Sequence, residues 1–225
     1  MSAVFEGRSS DSPYIHMIWR GHVDKDYQPV CPADPHWNLL FTQRGKHINV
    51  KVEGATDQTI QKHNFEGSEF LVIRFKLGMY MPVIPVHHLL NTNTDLPDAS
   101  SHSFWLNGAS WQLPTFENVE TFVERLVRED VLAVEPVVNS VMQEEEQNVS
   151  FRTVRRRFLQ ATGLTPKIIQ QINRAQQASD LLQQGVSILD TVYQLGYSDQ
   201  PHMTRSLKRF IGTTPAQLAR MSAAE

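Results

Sequence analysis

The sequence predicts an α+β chain: a small antiparallel β domain at the N-terminus, followed by an all-α domain with two helix-turn-helix units joined by a long helix. Three observations carry that prediction. The apolar spacing changes from alternation to helical spacing near residue 115. The helices beyond that point have explicit start and stop residues. The charge also divides: residues 1–147 hold 11 Lys and Arg against 20 Asp and Glu, a net of −9, whereas residues 148–225 hold 10 against 4, a net of +6, which together give −3. An acidic body attached to a basic end fits a chain whose end meets nucleic acid.

In the first part, residues 37–42 and 47–52 are short runs of apolar and β-branched residues, and Gln43-Arg44-Gly45-Lys46 supplies a turn between them, so a hairpin is expected. Residues 69–77 alternate Arg74 and Lys76 with Ile73, Phe75 and Leu77, a further strand, and residues 14–22 supply a fourth. Pro82, Pro85 and Pro97 interrupt residues 79–103. A small antiparallel sheet or barrel over residues 1–115 accounts for these runs.

The second part, residues 116–225, opens with Phe116, Val119, Phe122, Val123, Leu126 and Val127 on one helical face, with Glu117 and Glu120 in the first turn, where the helix dipole favours anions. A shorter helix over residues 135–142 and an acidic loop from Glu144 to Asn148 follow. Ser150 caps a helix that Gly163 ends; Phe151, Val154, Phe158 and Ala161 form its inward face, and Arg152, Arg155 and Arg156 its outward one. Three guanidiniums on one exposed face suit phosphates and guanine edges, because each bonds bidentately. Thr165-Pro166 opens a long helix that stops near Gly185, with a length of roughly 28 Å at ~1.5 Å per residue. Successive major-groove segments on one side of DNA recur about every 34 Å, so this helix suits two reading heads one turn apart. Ser187 caps a short helix, Gly196-Tyr197 turns the chain, and Ser198 is expected to cap the last reading helix, over about residues 198–210. Met203, Leu207 and Phe210 point inward; Pro201, Thr204, Arg205 and Lys208 point outward, with Gln200 and His202 near the base-reading N-terminal end and Arg209 placed for the DNA backbone.

The segment Ser187-Ile188 … Gly196-Tyr197-Ser198-Asp199-Gln200 … His202 … Arg205 … Lys208-Arg209 … Gly212 … Thr214-Pro215 resembles the signature of AraC/XylS-type bacterial transcription regulators. Ser150 … Arg156 … Phe158 … Gly163-Leu164-Thr165-Pro166, Arg174 … Ala178 … Leu181-Leu182 and Gly185 fit the same pattern, so the resemblance spans about residues 117–225. It implies two helix-turn-helix units that each place a helix in the major groove of double-stranded DNA. By position it implies Arg152, Arg155 and Arg156 as contacts of the first head and Gln200, Thr204 and Arg205 as contacts of the second. Lys208 and His202 become phosphate or turn-stabilising groups. The chain departs from the pattern at Pro201, which cannot hydrogen-bond a base, at Val192 in place of a small alanine, and in the longer acidic loop before Ser150.

Regulators of that kind often carry a β-rich N-terminal domain that binds an effector, dimerises, or both. A small-molecule effector, a second copy of the chain and RNA polymerase are therefore candidate partners. The histidines His36, His47 and His63 lie on separate segments and His87-His88 point apart in an extended chain, so no metal is expected. No Ser/His/Asp set, phosphate-binding glycine loop or carboxylate pair stands out, so neither an enzyme nor a cofactor is expected. Trp19, Trp37, Trp105 and Trp111 with Phe104 either fill the core or line an apolar pocket. No apolar run spans a membrane, no signal peptide opens the chain, and the lone Cys31 closes no internal disulfide, so a cytoplasmic setting is expected. The competing reading is a small-molecule-binding or enzymatic β-barrel whose helical tail serves protein interaction; an architectural DNA binder without an effector is a third.

Overall fold

Alternation gives each strand one apolar side, and those sides must be covered together. In the computed structural model, which describes residues 2–145 and 149–222, the first part contains β1 (Ala3–Arg8), β2 (Ile15–Val23), β3 (Val30–Cys31), β4 (Asn38–Arg44), β5 (His47–Glu53), β6 (Ile60–Gln61), β7 (Ser68–Phe75), β8 (Met79–Tyr80), β9 (Asn93–Leu96), β10 (Asp98–Ser100), β11 (Ser103–Leu106) and β12 (Ala109–Gln112). The helical part follows as α1 (Val119–Arg128), the short strand β13 (Ala133–Val134), α2 (Pro136–Met142), α3 (Phe151–Thr162), α4 (Pro166–Gln183), α5 (Ile188–Gln194), α6 (Gln200–Phe210) and α7 (Pro215–Ser222).

The main sheet has six antiparallel strands in the order β1-β2-β7-β4-β5-β9. Its register is set at the β4–β5 hairpin, where Arg44 faces His47 across Gly45-Lys46, as expected. That register aligns Ile18, Ile73, Leu39 and Val52 in one row across four strands, and all four are fully buried. A second hairpin, β11–β12, turns through Asn107 (φ 51°) and Gly108 (φ 74°). Two consecutive positive φ angles define a type I′ turn, which matches strand twist and selects Asn-Gly. Trp37, Trp111 and Phe104 fill this core. The two indole N–H groups are satisfied inside it: Trp37 donates to the Met79 carbonyl (2.7 Å) and Trp111 to that of Leu106 (3.1 Å). Trp105 is exposed, and Trp19 lies under the Arg74 guanidinium at 4.4 Å.

Helix α1 packs with the sheet. Val119, Val123 and Leu126 are fully buried in the same cluster as Phe41, Ile73 and Phe104, so the change of hydrophobic period near residue 115 falls inside one core. Glu120 lies in the first turn of α1, whereas Glu117 precedes the helix and pairs with Arg20 (2.7 Å). Arg8 on edge strand β1 donates to both carboxylate oxygens of Glu120 (2.5 and 2.8 Å) and to the Phe116 carbonyl (2.7 Å), which ties the sheet edge to the helix.

Two further cores organise the rest. The N-terminal half of α4 packs Ile169, Ile172 and Ala175 with Val138 of α2, Phe158 and Ala161 of α3, and Phe210 of α6. Its C-terminal half packs Ala178 and Leu182 with Tyr197, Met203, Leu207 and Leu218. At 18 residues α4 spans about 27 Å and belongs to both units, as a connecting helix must. The caps read from sequence at Ser150, Thr165 and Ser187 each accept an N–H from their first turn. One assignment is corrected: Phe151 is 81% exposed and does not join the inward face of α3, because the first residue of a helix lies at its open end. The loop expected over Glu144 to Asn148 begins at Glu144, with residues 146–148 outside the described residues.

Two outcomes are expected. Leu126→Ala should cost about 2–5 kcal/mol in chemical denaturation because it opens a cavity in the first core, while Phe151→Ala should change stability by no more than about 0.5 kcal/mol. Equal effects would contradict this packing. The hydrogen bonds from Arg8 hold the Glu120 carboxyl well below its ordinary 4.5, at about 2. A depressed native pKa adds stability that is complete above the ordinary value and is lost as pH falls through the native one. Glu120→Gln should therefore flatten the loss of stability between pH 4.5 and about 2, as read by denaturation at stepped pH; an unchanged acid limb would refute the assignment.

Candidate nucleic-acid interface

A reading helix has to start sharply, because its first turn approaches the base edges. Helix α5 ends in a Schellman motif: the N–H of Tyr197 donates to Val192 O (3.0 Å) and that of Gly196 to Tyr193 O (3.2 Å), with Gly196 at φ 64°. Tyr197 is buried and fastens the turn. Arg174 of α4 lies 4.4 Å from its ring centroid, His202 meets it edge-on at 5.2 Å, and its hydroxyl reaches Ser206 Oγ (3.3 Å).

The cap of α6 is Asp199, whose carboxylate accepts from the His202 N–H (2.6 Å). This corrects the expectation for Ser198, whose hydroxyl instead shares a hydrogen bond with His202 Nδ1 (3.1 Å). Two cap-competent side chains stand next to each other, and the one directly before the first helical residue, Asp199, has the extended backbone (φ −165°, ψ 169°) that a cap takes. Pro201 sits in the first turn, where its missing N–H breaks no intrahelical bond.

On α6, Met203, Leu207 and Phe210 are buried as expected, and Gln200, Arg205 and Lys208 are exposed on the outer surface. Thr204 is half-buried and its hydroxyl donates to Gln200 O (2.9 Å). His202 is used by the turn. Arg209 is held elsewhere: its Nη2 pairs with Asp57 Oδ2 (2.8 Å), and its Nε donates to the Asp57 carbonyl (3.2 Å).

On α3, Arg152, Arg155 and Arg156 are all exposed along one surface, and Arg156 reaches Gln160 along the helix (3.4 Å). Arg157 faces the other way and makes two bonds to Glu135, Nε to Oε2 (2.9 Å) and Nη2 to Oε1 (2.6 Å). Glu135 also accepts the Val137 N–H as cap of α2 (3.1 Å), so one carboxylate fastens α2 and α3 together. The structure thus gathers Arg152, Arg155 and Arg156 on one helix and Gln200, Arg205 and Lys208 on another, each capped at its N-terminus.

Some supporting residues escaped the sequence reading. Helix α7 starts at a capping box in which the Gln217 side chain accepts from the Thr214 N–H (2.9 Å) and Thr214 Oγ1 from the Gln217 N–H (3.3 Å). Thr214-Pro215-Ala216-Gln217 was the available signal. Its Leu218 closes the third core. No local pattern announces the partners of Arg157 and Arg174, which lie 22 and 23 residues away.

A family described as "Helix-turn-helix domain" matches residues 145–221. The uncharacterized HTH-type transcriptional regulator YbfI of Bacillus subtilis (strain 168) is 44% identical over 48 residues, which cover 21% of this chain and 18% of that relative. The match therefore spans less than a fifth of the relative's length. ToxT from Vibrio cholerae is a distant structural likeness at 11% identity and a TM-score of 0.38, over 98% of this chain and 99% of that one. An apo variant of ToxT is similar at 10% identity and a TM-score of 0.34, over 98% of each chain.

The corrected cap is directly testable. Asp199→Ala should lower stability by about 1 kcal/mol and Ser198→Ala by only a few tenths of that, measured by thermal and denaturant unfolding. The reverse order would restore Ser198 as the cap.

Proposed function

We propose that the C-terminal segment, an AraC-type helix-turn-helix domain, makes this chain a sequence-specific double-stranded DNA-binding transcription regulator. One observation carries the reading: two capped helices, α3 and α6, each present an exposed cationic and amide-bearing surface, and a single connecting helix takes part in the cores beneath both. Arg152, Arg155 and Arg156 serve the first head. Gln200, Thr204 and Arg205 read bases in the second, and Lys208 takes a phosphate. Pro201 has no donor to offer, so base reading in this head moves to its neighbours.

We take the regulatory part as the β-rich residues 1–115 together with α1, whose buried face joins the first core; the second core unites Val138 of α2 and the later helices with Ala33 and Ala55 of the N-terminal loops. The regulatory part offers a cleft of about 680 Å³ at one end of the sheet. Its floor is the inner face of β1, β2, β7 and β4, where Glu6, Arg20, His22 and Glu69 stand beside Phe41 and Leu71. Apolar walls with a few convergent polar groups are the usual form of a small-molecule site. This favours the sensing role for the N-terminal domain, with RNA polymerase and a second copy as further partners.

Selection from random duplexes with the full chain should enrich a motif whose two halves lie about 10 bp apart. Arg155→Ala and Arg205→Ala should each cost about 1–3 kcal/mol of binding and relax one part of that motif. Affinity should fall steeply as salt rises. A library returned without enrichment would end this reading.

A further inference from the structure

The regulatory part holds a cationic side chain of the second reading helix through one built carboxylate. Asp57 lies in the segment between β5 and β6, and both its oxygens are used. Oδ1 accepts from the Asn91 side-chain amide (2.8 Å), and Asn91 Oδ1 in turn accepts the Asp57 N–H (3.0 Å). That reciprocal pair fixes the carboxylate before anything else binds. Oδ2 then receives Arg209 Nη2 (2.8 Å), while Arg209 Nε donates to the Asp57 carbonyl (3.2 Å). The guanidinium also lies 4.9 Å from the Phe210 ring centroid. Asp57 is only a quarter exposed, and Arg209 is about half exposed.

We infer that Asp57 acts as a phosphate surrogate: it competes in cis with the DNA backbone for Arg209 and so lowers the affinity of the second head for any duplex. The inference rests on the DNA-binding reading above and adds an internal competitor to it. The chemistry is the same on both sides. A guanidinium meets an anionic oxygen with a second oxygen acceptor beside it, as it would on a phosphodiester. Arg209 cannot satisfy both partners in one rotamer. The anchoring of Asp57 by Asn91 keeps the competitor in place without help from the arginine, which a merely fortuitous surface pair would lack.

The contact also separates cleanly from the rest of the docking. The Thr59 N–H donates to Arg209 O (3.0 Å) and the Ala33 N–H to Phe210 O (2.7 Å), both through backbone. Removing the Asp57 charge leaves these bonds intact, so the two parts stay docked while Arg209 loses its ion pair and keeps only the Asp57 carbonyl. Because the pair is partly solvated, the effect is modest. One additional phosphate contact steepens the dependence of log affinity on log salt by about 0.9.

The test measures binding of a mixed-sequence 30-bp duplex by the full chain and four variants (Asp57→Asn, Arg209→Ala, the two combined, and Asp98→Asn), from about 50 to 200 mM salt. Asp57→Asn should bind at least about threefold more tightly at the low end, with a salt slope steeper by about 0.9. In an Arg209→Ala background the same substitution should change nothing. Asp98→Asn removes an equal charge from the distant strand β10 and should leave affinity within experimental error. Equal binding by wild type and Asp57→Asn would overturn the competition while leaving the DNA-binding reading intact. A gain that persists without Arg209, or that Asp98→Asn reproduces, would reduce it to general electrostatics and equally overturn it. Absence of duplex binding by every protein would sink both readings together.

Discussion

The structure depends on how helix α6 ends. The last carbonyls of an α-helix have no intrahelical partner and must find donors elsewhere. Here the donors come from far along the chain: the Ala33 N–H takes Phe210 O and the Thr59 N–H takes Arg209 O. Phe210 itself is buried with Ala33 and Ala55 from the N-terminal loops and with Phe158 and Ile172 from the first unit. Three parts of the chain therefore meet at one aromatic ring. Small side chains at residues 33 and 55 allow the loops to come close enough for the backbone bonds to form.

The same approach explains the glycines that follow both reading helices. Gly163 after α3 and Gly212 after α6 have positive φ, 72° and 86°, and each faces a segment of the N-terminal part. A Cβ at Gly163 would lie 3.2 Å from His87 Cα, and one at Gly212 would lie 3.1 Å from a Val30 methyl. The first neighbour is backbone and has little room to yield. Each glycine thus serves two constraints, helix termination and close docking, of which sequence shows only the first. Docking at the C-terminal ends leaves the N-terminal turns of α3 and α6 uncovered by these contacts.

Local signals were legible where the physics is local. Alternation located β2, β4, β5 and β7, and caps located α3 to α6 within a residue or two. The hairpin at Asn107-Gly108 is equally local, but its strands are only four residues each, too short for alternation to stand out. Edge strand β1 has little buried surface, so its sequence hardly alternates; besides its ladder with β2 it is held by Arg8 and Glu120, 112 residues apart. The apolar stripe of α1 announced a buried face without saying which core would take it. Among the site residues, the outward placement of Arg152, Arg155, Arg156, Arg205 and Lys208 followed from helical period alone. Arg209 did not: period put it near the DNA backbone, and a partner 152 residues away decides where it points.

The charge asymmetry then has a second meaning. An acidic body and a basic end attract each other in cis before any nucleic acid arrives, and short-range geometry decides which cations are caught. Each reading helix has one arginine in the hands of a carboxylate from outside it, Arg157 with Glu135 and Arg209 with Asp57. These two pairs differ in kind. Arg157 lies on the inner side of α3, where its pairing fastens α2 and belongs to the packing of the unit. Arg209 lies at the rim of the outer surface, bound to a loop whose own hydrogen bonds persist without it. Of these two pairs, only the second places between the two parts a charge of the kind a phosphate would use, and on the competition we infer that one guanidinium links the strength of docking to the strength of DNA binding.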